Sequence, residues 1–299
     1  MKKLAAAMLL TTACAATASA QGITEFRIGI MGGENAQDRL NSNECFRVKA
    51  QELLGVPVRL FTPADYNGLI QGLLGGTLDL AWLGASTYAA IYLENPDAVE
   101  PVVVKTNTDG SYGYYAIGFA RTDRGINSLD DLKGKVFAFG DPNSTSGYLI
   151  PSIEIPQSGY SMKPGEFFGD IRFVGGHEQT IVAVANGNVD AGVTWADGIG
   201  DWADGYNSGA LRKASDAGVV DMNDLKEIWK SNTIPEGPFV LRKALPERVK
   251  LDMVALLTSL PYMDPDCAYG VLAGEALGVQ PINHDAYISI IEARKAASQ

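Results

Sequence analysis

Short apolar runs alternate with helical patterns along almost the whole chain. This predicts an α/β fold of two lobes, each built on an open, mostly parallel sheet, with a ligand cleft between them. Two further observations support it. The chain of 299 residues is too long for one small core. It also contains an internal echo that divides it into two series of similar order.

The first series reads as strand 26–31, helix 44–54, strand 58–61, helix 66–74, strand 78–83, a helix through Ala89 and Tyr92, and strands 102–105 and 114–120. The strands are short runs of β-branched, aromatic and aliphatic residues, and the helices carry apolar residues at helical spacing. The second series starts at Lys135. It reads as strand 136–139, a partly helical stretch 147–155, strand 170–174, helix 178–186 and strand 189–194. Gly76-Thr77-Leu78-Asp79-Leu80-Ala81 in the first is echoed by Gly187-Asn188-Val189-Asp190-Ala191-Gly192 in the second. In both, a Gly ends a helix, a turn follows and a buried strand begins. The echo falls 50 residues after Phe26 and 52 after Lys135, so two lobes of similar topology explain it better than chance does.

The chain is expected to cross between lobes near 114–119 and near 228–240, where Pro235 and Pro238 mark an extended path. From Pro246 onward it reads as helical and is expected to pack on the first lobe. The resulting division is a leader at 1–20, lobe 1 at 21–116 and 230–299, and lobe 2 at 117–229.

The leader reads as a cleaved secretory signal. Lys2 and Lys3 are followed by the apolar run 4–10 and by Ala18-Ser19-Ala20. A lipoprotein reading of Cys14 is weaker, because Thr11 stands where an aliphatic residue is wanted. No other stretch is long and apolar enough for a membrane helix, so an exported soluble protein is expected. The whole chain has net charge −11, and removal of the two leader lysines takes it to −13. That balance disfavours nucleic acid and anionic membrane surfaces, so a bound anion must be held by local donors. Cys45 and Cys267 remain after cleavage. An oxidising compartment would let them pair, but their separation and the size of the chain argue that no staple is needed. The only histidines, His177 and His284, make no zinc-like spacing with them, and no metal or cofactor is expected.

The most informative stretch is GDPNSTSG at 140–147. It follows the strand 136–139 and opens the partly helical 147–155. Asn143 or Ser144 is placed to cap that helix. Ser144, Thr145 and Ser146 then stand beside free backbone N–H groups at the positive end of a helix dipole, which suits an anion. No Lys follows the last Gly, so this is not a nucleotide P-loop. An ordinary Ser-capped turn has the same composition. Ligands in open α/β sheets bind beyond the carboxyl ends of strands. That rule selects 32–35, 84–87, 140–146 and 194–198.

These residues carry a resemblance. FTPADYNGLIQG (61–72), LDLAWLG (78–84), GDPNSTSGYLIP (140–151), GHEQTIVAVANGNVDAG (176–192) and IWKSNTIPEGPFVLRK (228–243) run in the order seen in the periplasmic phosphonate-binding proteins of ABC importers. The chain resembles that family over most of 58–243. The resemblance implies the two-lobed type II periplasmic binding fold. It also implies that Ser144, Thr145 and Ser146 hold the phosphonate oxygens, with His177 bonded to them directly or through water. Tyr66 matches a family tyrosine near the cleft, although core packing with Leu69 and Ile70 would explain it equally well.

For the organic tail, the family's carboxylates around an ammonium map to Asp197. A second acid is expected at the position of Gly237, and Glu236 lies one residue earlier. Leu83 stands where the family can have a tyrosine. Trp195 is placed to lie beside a cation or alkyl chain, or simply to fill a strand end. The implied function is a monomeric periplasmic receptor, not an enzyme. It would capture a phosphonate, with 2-aminoethylphosphonate favoured over methylphosphonate, phosphite or phosphate, and deliver it to an ABC permease. The competing classes are a hydrolase using Ser146 and His177, which lacks a G-x-S-x-G elbow, and a sensor.

Overall fold

The computed structural model describes residues 22–31 and 36–297. The expected leader lies outside the described residues, as does the 32–35 segment. In chain order the elements are β1 (Phe26–Gly29), α1 (Ala36–Leu54), β2 (Val58–Phe61), α2 (Tyr66–Leu74), β3 (Leu80–Trp82), α3 (Ala85–Glu94), β4 (Val99–Thr106) and β5 (Gly113–Arg121). There follow β6 (Val136–Phe139), α4 (Ile150–Gln157), β7 (Asp170–Phe173), α5 (His177–Ala185), β8 (Ala191–Ala196), α6 (Ala210–Asp216) and β9 (Leu225–Lys230). The chain ends with β10 (Ile234–Pro235), β11 (Pro238–Arg242), α7 (Glu247–Met263), α8 (Pro265–Val271), β12 (Gly278–Pro281) and α9 (Ile288–Ala297).

Two six-stranded sheets result. The first has the order β12-β4-β11-β3-β1-β2, and the second β10-β5-β8-β6-β7 with β9 also on β5. Each has a parallel heart, β3-β1-β2 and β8-β6-β7. The remaining pairings are antiparallel, so the sheets are mixed rather than mostly parallel. The reason is topological. β11 returns from the second sheet running opposite to β3 and β4, and β5 enters the second sheet running opposite to β8. A strand arriving from the other lobe needs no helical crossover, so nothing constrains it to be parallel. The tail is also not wholly helical, because β12 pairs with β4 from Gly278↔Thr106 to Pro281↔Val103.

The first sheet alternates strictly between two cores. Phe26, Ile28, Leu80, Phe239 and Leu241 face α1, α7 and α8. Ala81, Leu83 and Val240 face α2, α3 and α9. The second sheet is covered likewise, with Ile117 and Phe119 toward α5 and α6 and Phe137, Phe139 and Val193 toward α4. The echoed aspartates do one job twice. Asp79 N–H donates to Arg27 O at 2.8 Å while its carboxylate accepts Arg27 N–H at 2.9 Å. Asp190 N–H donates to Val136 O at 3.0 Å while its carboxylate accepts Val136 N–H at 2.8 Å. Each side chain thereby stitches its strand to the start of the neighbouring parallel strand. Gly76 and Gly187, at φ +70° and +71°, make the preceding left-handed turn that side chains disfavour.

The chain passes from the first sheet to the second across 107–112, ahead of the expected 114–119, because β5 already belongs to the second sheet. It returns at Glu236-Gly237, within the expected 228–240. Cys45 and Cys267 form a disulfide with Cα atoms 5.9 Å apart, against the expectation of no staple. Their sequence separation is immaterial, since α1 and α8 pack side by side on one face of the first sheet. Closing so long a loop restricts the unfolded chain strongly. Replacing both cysteines with serine is expected to lower unfolding free energy by about 2–5 kcal/mol in chemical denaturation without reductant.

Candidate functional site

Four helical N-termini converge on one point. α2 begins at Tyr66 behind its cap Asp65, whose carboxylate accepts Gly68 N–H at 2.8 Å. α3 begins after Gly84, α5 begins at His177 after Gly176, and a π-helical turn at Thr145–Leu149 leads into α4. Each follows a strand of a parallel heart, so all four starts lie at strand carboxyl ends. Residues from all four line one cavity of about 130 Å³: Tyr66, Gly84, Ser144, Thr145, Ser146 and His177. The first N–H groups of a helix have no partner within it, and its dipole is positive there. The wall therefore carries donors and positive potential suited to a small oxyanion.

Ser144, Thr145 and Ser146 are almost wholly buried. Ser144 Oγ caps the turn by accepting Gly147 N–H at 3.0 Å. His177 bridges two hydroxyls, with Nε2 3.3 Å from Ser144 Oγ and Nδ1 3.3 Å from Thr194 Oγ1. Its near partner is thus the capping Ser144, not Ser146. Tyr114 joins Ser146 and Thr145. Burial and the charge of Glu236 push its phenol far above the usual range, while hydrogen bonds with the two hydroxyls pull it back, so it stays neutral.

The hydroxyl loop is clasped by the opposite lobe. Ser86 N–H, at the start of α3, donates to Thr145 Oγ1 at 2.8 Å. Thr87 Oγ1 donates to Asn143 O at 3.1 Å. Arg294 of α9 spans the gap, donating to Ser86 Oγ at 2.8 Å and to Asn143 Oδ1 at 2.6 Å. A side chain at Gly84 would place its Cβ 2.9 Å from Thr145 Oγ1, so glycine permits this approach. Asp141 sits in the same seam. Burial raises its carboxyl, and the N–H groups of Asn143 and Tyr66 hold it down.

Beyond the hydroxyls the cavity is aromatic. Trp82 stacks on Phe239 at 5.4 Å and meets Trp195 edge-on at 6.1 Å, and Trp195 meets Tyr114 edge-on at 5.9 Å. Leu83 and Glu236 complete this part of the wall. Glu236 Oε1 accepts Gly237 N–H at 3.0 Å, whereas Oε2 is buried without a hydrogen-bond partner. Burial raises the Glu236 carboxyl, Lys105 and the Gly237 N–H lower it, and Asp197 raises it further. Asp197 is buried behind β8 and is not part of the wall. Its Oδ1 accepts Ile199 N–H at 3.2 Å and its Oδ2 has no hydrogen-bond partner.

Of the nine residues singled out in the sequence, eight line this cavity and Asp197 lies off it. The glycine at 237 also has a physical reason. A Cβ there would sit 1.9 Å from Leu83 O, so the backbone contact excludes any acid and leaves the carboxylate to Glu236. Sequence reading missed Trp82, Tyr114, Lys105 and Arg294. Lys105 left a signal, as a charge interrupting the apolar run Val102-Val103-Val104. Arg294 left none.

The sequence profile described as ABC transporter, phosphonate, periplasmic substrate-binding protein matches residues 46–287, and the chain belongs to that family. It is 33% identical over 227 residues to the phosphonates-binding periplasmic protein of Escherichia coli (strain K12), covering 74% of this chain and 62% of that one. The match thus spans less than two thirds of that relative's length. The chain is 30% identical over 250 residues to the phosphate-import protein PhnD of Mycolicibacterium smegmatis, covering 79% of this chain and 74% of that one. The crystal structure of a binding protein component of an ABC phosphonate transporter from Pseudomonas aeruginosa superposes with a TM-score of 0.76 at 25% identity, covering 93% of this chain and 89% of that one. A Prochlorococcus marinus protein in complex with methylphosphonate superposes with a TM-score of 0.75 at 19% identity, covering 92% and 98%, and shares the fold.

Arg294 supplies two of the bonds that hold the hydroxyl loop against α3. Arg294→Met is expected to disfavour the closed arrangement by about 1–3 kcal/mol. The ligand-free variant should then have a larger radius of gyration than the parent in small-angle scattering.

Proposed function

We propose that the protein is a periplasmic receptor that captures a small phosphonate, with 2-aminoethylphosphonate the best-fitting ligand, and delivers it to the permease of an ABC importer. Ser144, Thr145 and Ser146, with the N–H groups of their turn, hold the phosphonate oxygens. His177 orients Ser144 and adds a hydrogen bond, Tyr66 donates from the facing lobe, and Tyr114 stands beside Ser146 and Thr145. The aminoethyl tail lies between Trp195 and Leu83, and its ammonium is met by Glu236 and, behind it, Asp197. The two lobes, each carried by one of the two sheets, close about the crossings at 107–112 and Glu236-Gly237, and the leader at 1–20 accounts for export. The protein binds rather than turns over its ligand, since Ser144 Oγ already serves as a helix cap and His177 Nδ1 faces a hydroxyl.

One observation supports the cationic tail above the others. Two buried carboxylates each keep an oxygen without a hydrogen-bond partner. A charge withdrawn from water is costly unless something replaces the water, and an ammonium does so for both. A second reading, methylphosphonate, phosphite or phosphate, is favoured by Lys105, whose own ammonium already acts on both acids.

Calorimetry against 2-aminoethylphosphonate, methylphosphonate, phosphite and phosphate decides between them, and tightest binding of an uncharged-tail ligand would reject the first reading. Ser146→Ala removes a hydrogen bond to a charged group, so every ligand in the panel should weaken roughly 10- to 150-fold. Asp197→Asn should weaken 2-aminoethylphosphonate at least about tenfold and methylphosphonate far less. Equal weakening of both would remove Asp197 as an ammonium partner.

A further inference from the structure

Lys105 is the one charged residue of β4 that the fold buries completely. It projects from the first sheet to a corner of the second, where its ammonium is hydrogen-bonded to Ser208 Oγ. It lies 5.9 Å from the centroid of the Trp195 ring. Ser208 O accepts Asp197 N–H at 2.9 Å, so the corner that receives the lysine is the one that carries Asp197. Among the described residues Lys105 makes no direct ion pair with Asp197 or Glu236, although both carboxylates raise its proton affinity against the effect of burial. The lysine therefore balances charge at a distance. It leaves Glu236 Oε2 on the cavity wall, and Asp197 Oδ2 off it, without hydrogen-bond partners.

The charge count then decides what fits. Lys105 with Asp197 and Glu236, all three buried, sums to one net negative charge whether the lysine's proton stays on its amine or moves to a carboxylate. Around Asp197, the Lys230 ammonium lies 5.5 Å from the centroid of the Tyr206 ring and Glu227 accepts the Tyr206 hydroxyl, so this outer cation and anion offset one another. Tyr114 and Tyr287 beside Glu236, and Tyr206 beside Asp197, all have phenols pushed well above the usual range, first by burial and then by these carboxylates or, for Tyr206, by Glu227. The remaining titratable groups on the cavity wall, His177, Lys213 and Arg39, are not among the groups acting on Glu236.

We propose that Lys105 is a specificity-determining residue that fixes the tail pocket at a single net negative charge, so that the closed site takes a phosphonate bearing one ammonium and takes an uncharged tail only together with a proton. The proposal rests on the reading of the cavity as a phosphonate site. Without Lys105 the pocket carries two negative charges, and closing it over any ligand demands an added proton. Without Asp197 it carries none, and the preference for an ammonium is lost. Without both it carries one again.

The test is calorimetry of four proteins, the parent, Lys105→Met, Asp197→Asn and the double variant, against 2-aminoethylphosphonate and methylphosphonate at pH 6 and pH 8. The preference for 2-aminoethylphosphonate should fall about tenfold in Asp197→Asn and return in the double variant. Lys105→Met should bind both ligands more weakly than the parent at pH 8 and recover at pH 6, because burial already raises the Glu236 carboxyl and its protonation replaces the lost cation. If the double variant keeps the selectivity of Asp197→Asn, or if Lys105→Met shows the parent's pH dependence, Lys105 does not set the pocket charge. Lys105→Gln serves the same comparison should the methionine variant fail to fold, as judged by circular dichroism. Failure of the parent to bind either phosphonate would overturn the functional reading itself, a result distinct from an unchanged selectivity.

Discussion

Four helix N-termini enclosed in one cavity are the constraint on which the rest of the structure turns. Every parallel strand–helix unit delivers a helix start to the carboxyl edge of its sheet. Two sheets that face one another at those edges bring Tyr66, Gly84, Thr145 and His177 to one place. Unpaired N–H groups and aligned dipoles of one sign repel when concentrated without an acceptor. The protein supplies small acceptors of its own. Thr145 Oγ1 takes the Ser86 N–H, and Ser144 Oγ takes that of Gly147. An oxyanion meets the same donors with full charge. Donors of this kind are local, so they suit an anion even in a chain of net charge −11.

The same arithmetic, with the sign reversed, governs the far end of the cavity. Glu236 and Asp197 are negative groups withdrawn from water, and Lys105 compensates only one of them. An anion nest at one end and a residual negative charge at the other are the basis on which a zwitterion of short span is proposed. The two ends are held in register by contacts that cross between the lobes. Arg294 ties the hydroxyl loop to α3, and Lys105 ties β4 to Ser208. Each of these is also a contact that an open cleft would lose, so closure, anion geometry and tail geometry are a single equilibrium.

The repeated Gly-x-aliphatic-Asp motif shows how a pattern of six residues acquires a structural meaning. Its aspartate is a stitch between two parallel strands, made once in each sheet, with Asp79 additionally paired to Arg27 and Arg242. The motif was legible because a buried aspartate at a strand entry has few other uses. Its position at matching distances in the two series followed from the repeated strand–helix–strand path.

What the amino-acid sequence determined by itself was local. Hydrophobic periodicity gave β2, α2 and β6 to the residue, because burial on one face leaves a readable pattern. The hydroxyl run at 144–146 was legible because hydroxyls at a helix start have a specific physical use. What only the tertiary structure decided were the relations between distant segments. They include the antiparallel insertion of β11, the Cys45–Cys267 pairing, the replacement of a carboxylate at 237 by Glu236, and the roles of Lys105 and Arg294. None of these is written in a local window, because a buried cation is defined by the charges that surround it and a glycine by the backbone that approaches it. Both neighbours come from elsewhere in the chain, and only the folded packing of the two sheets brings them within reach.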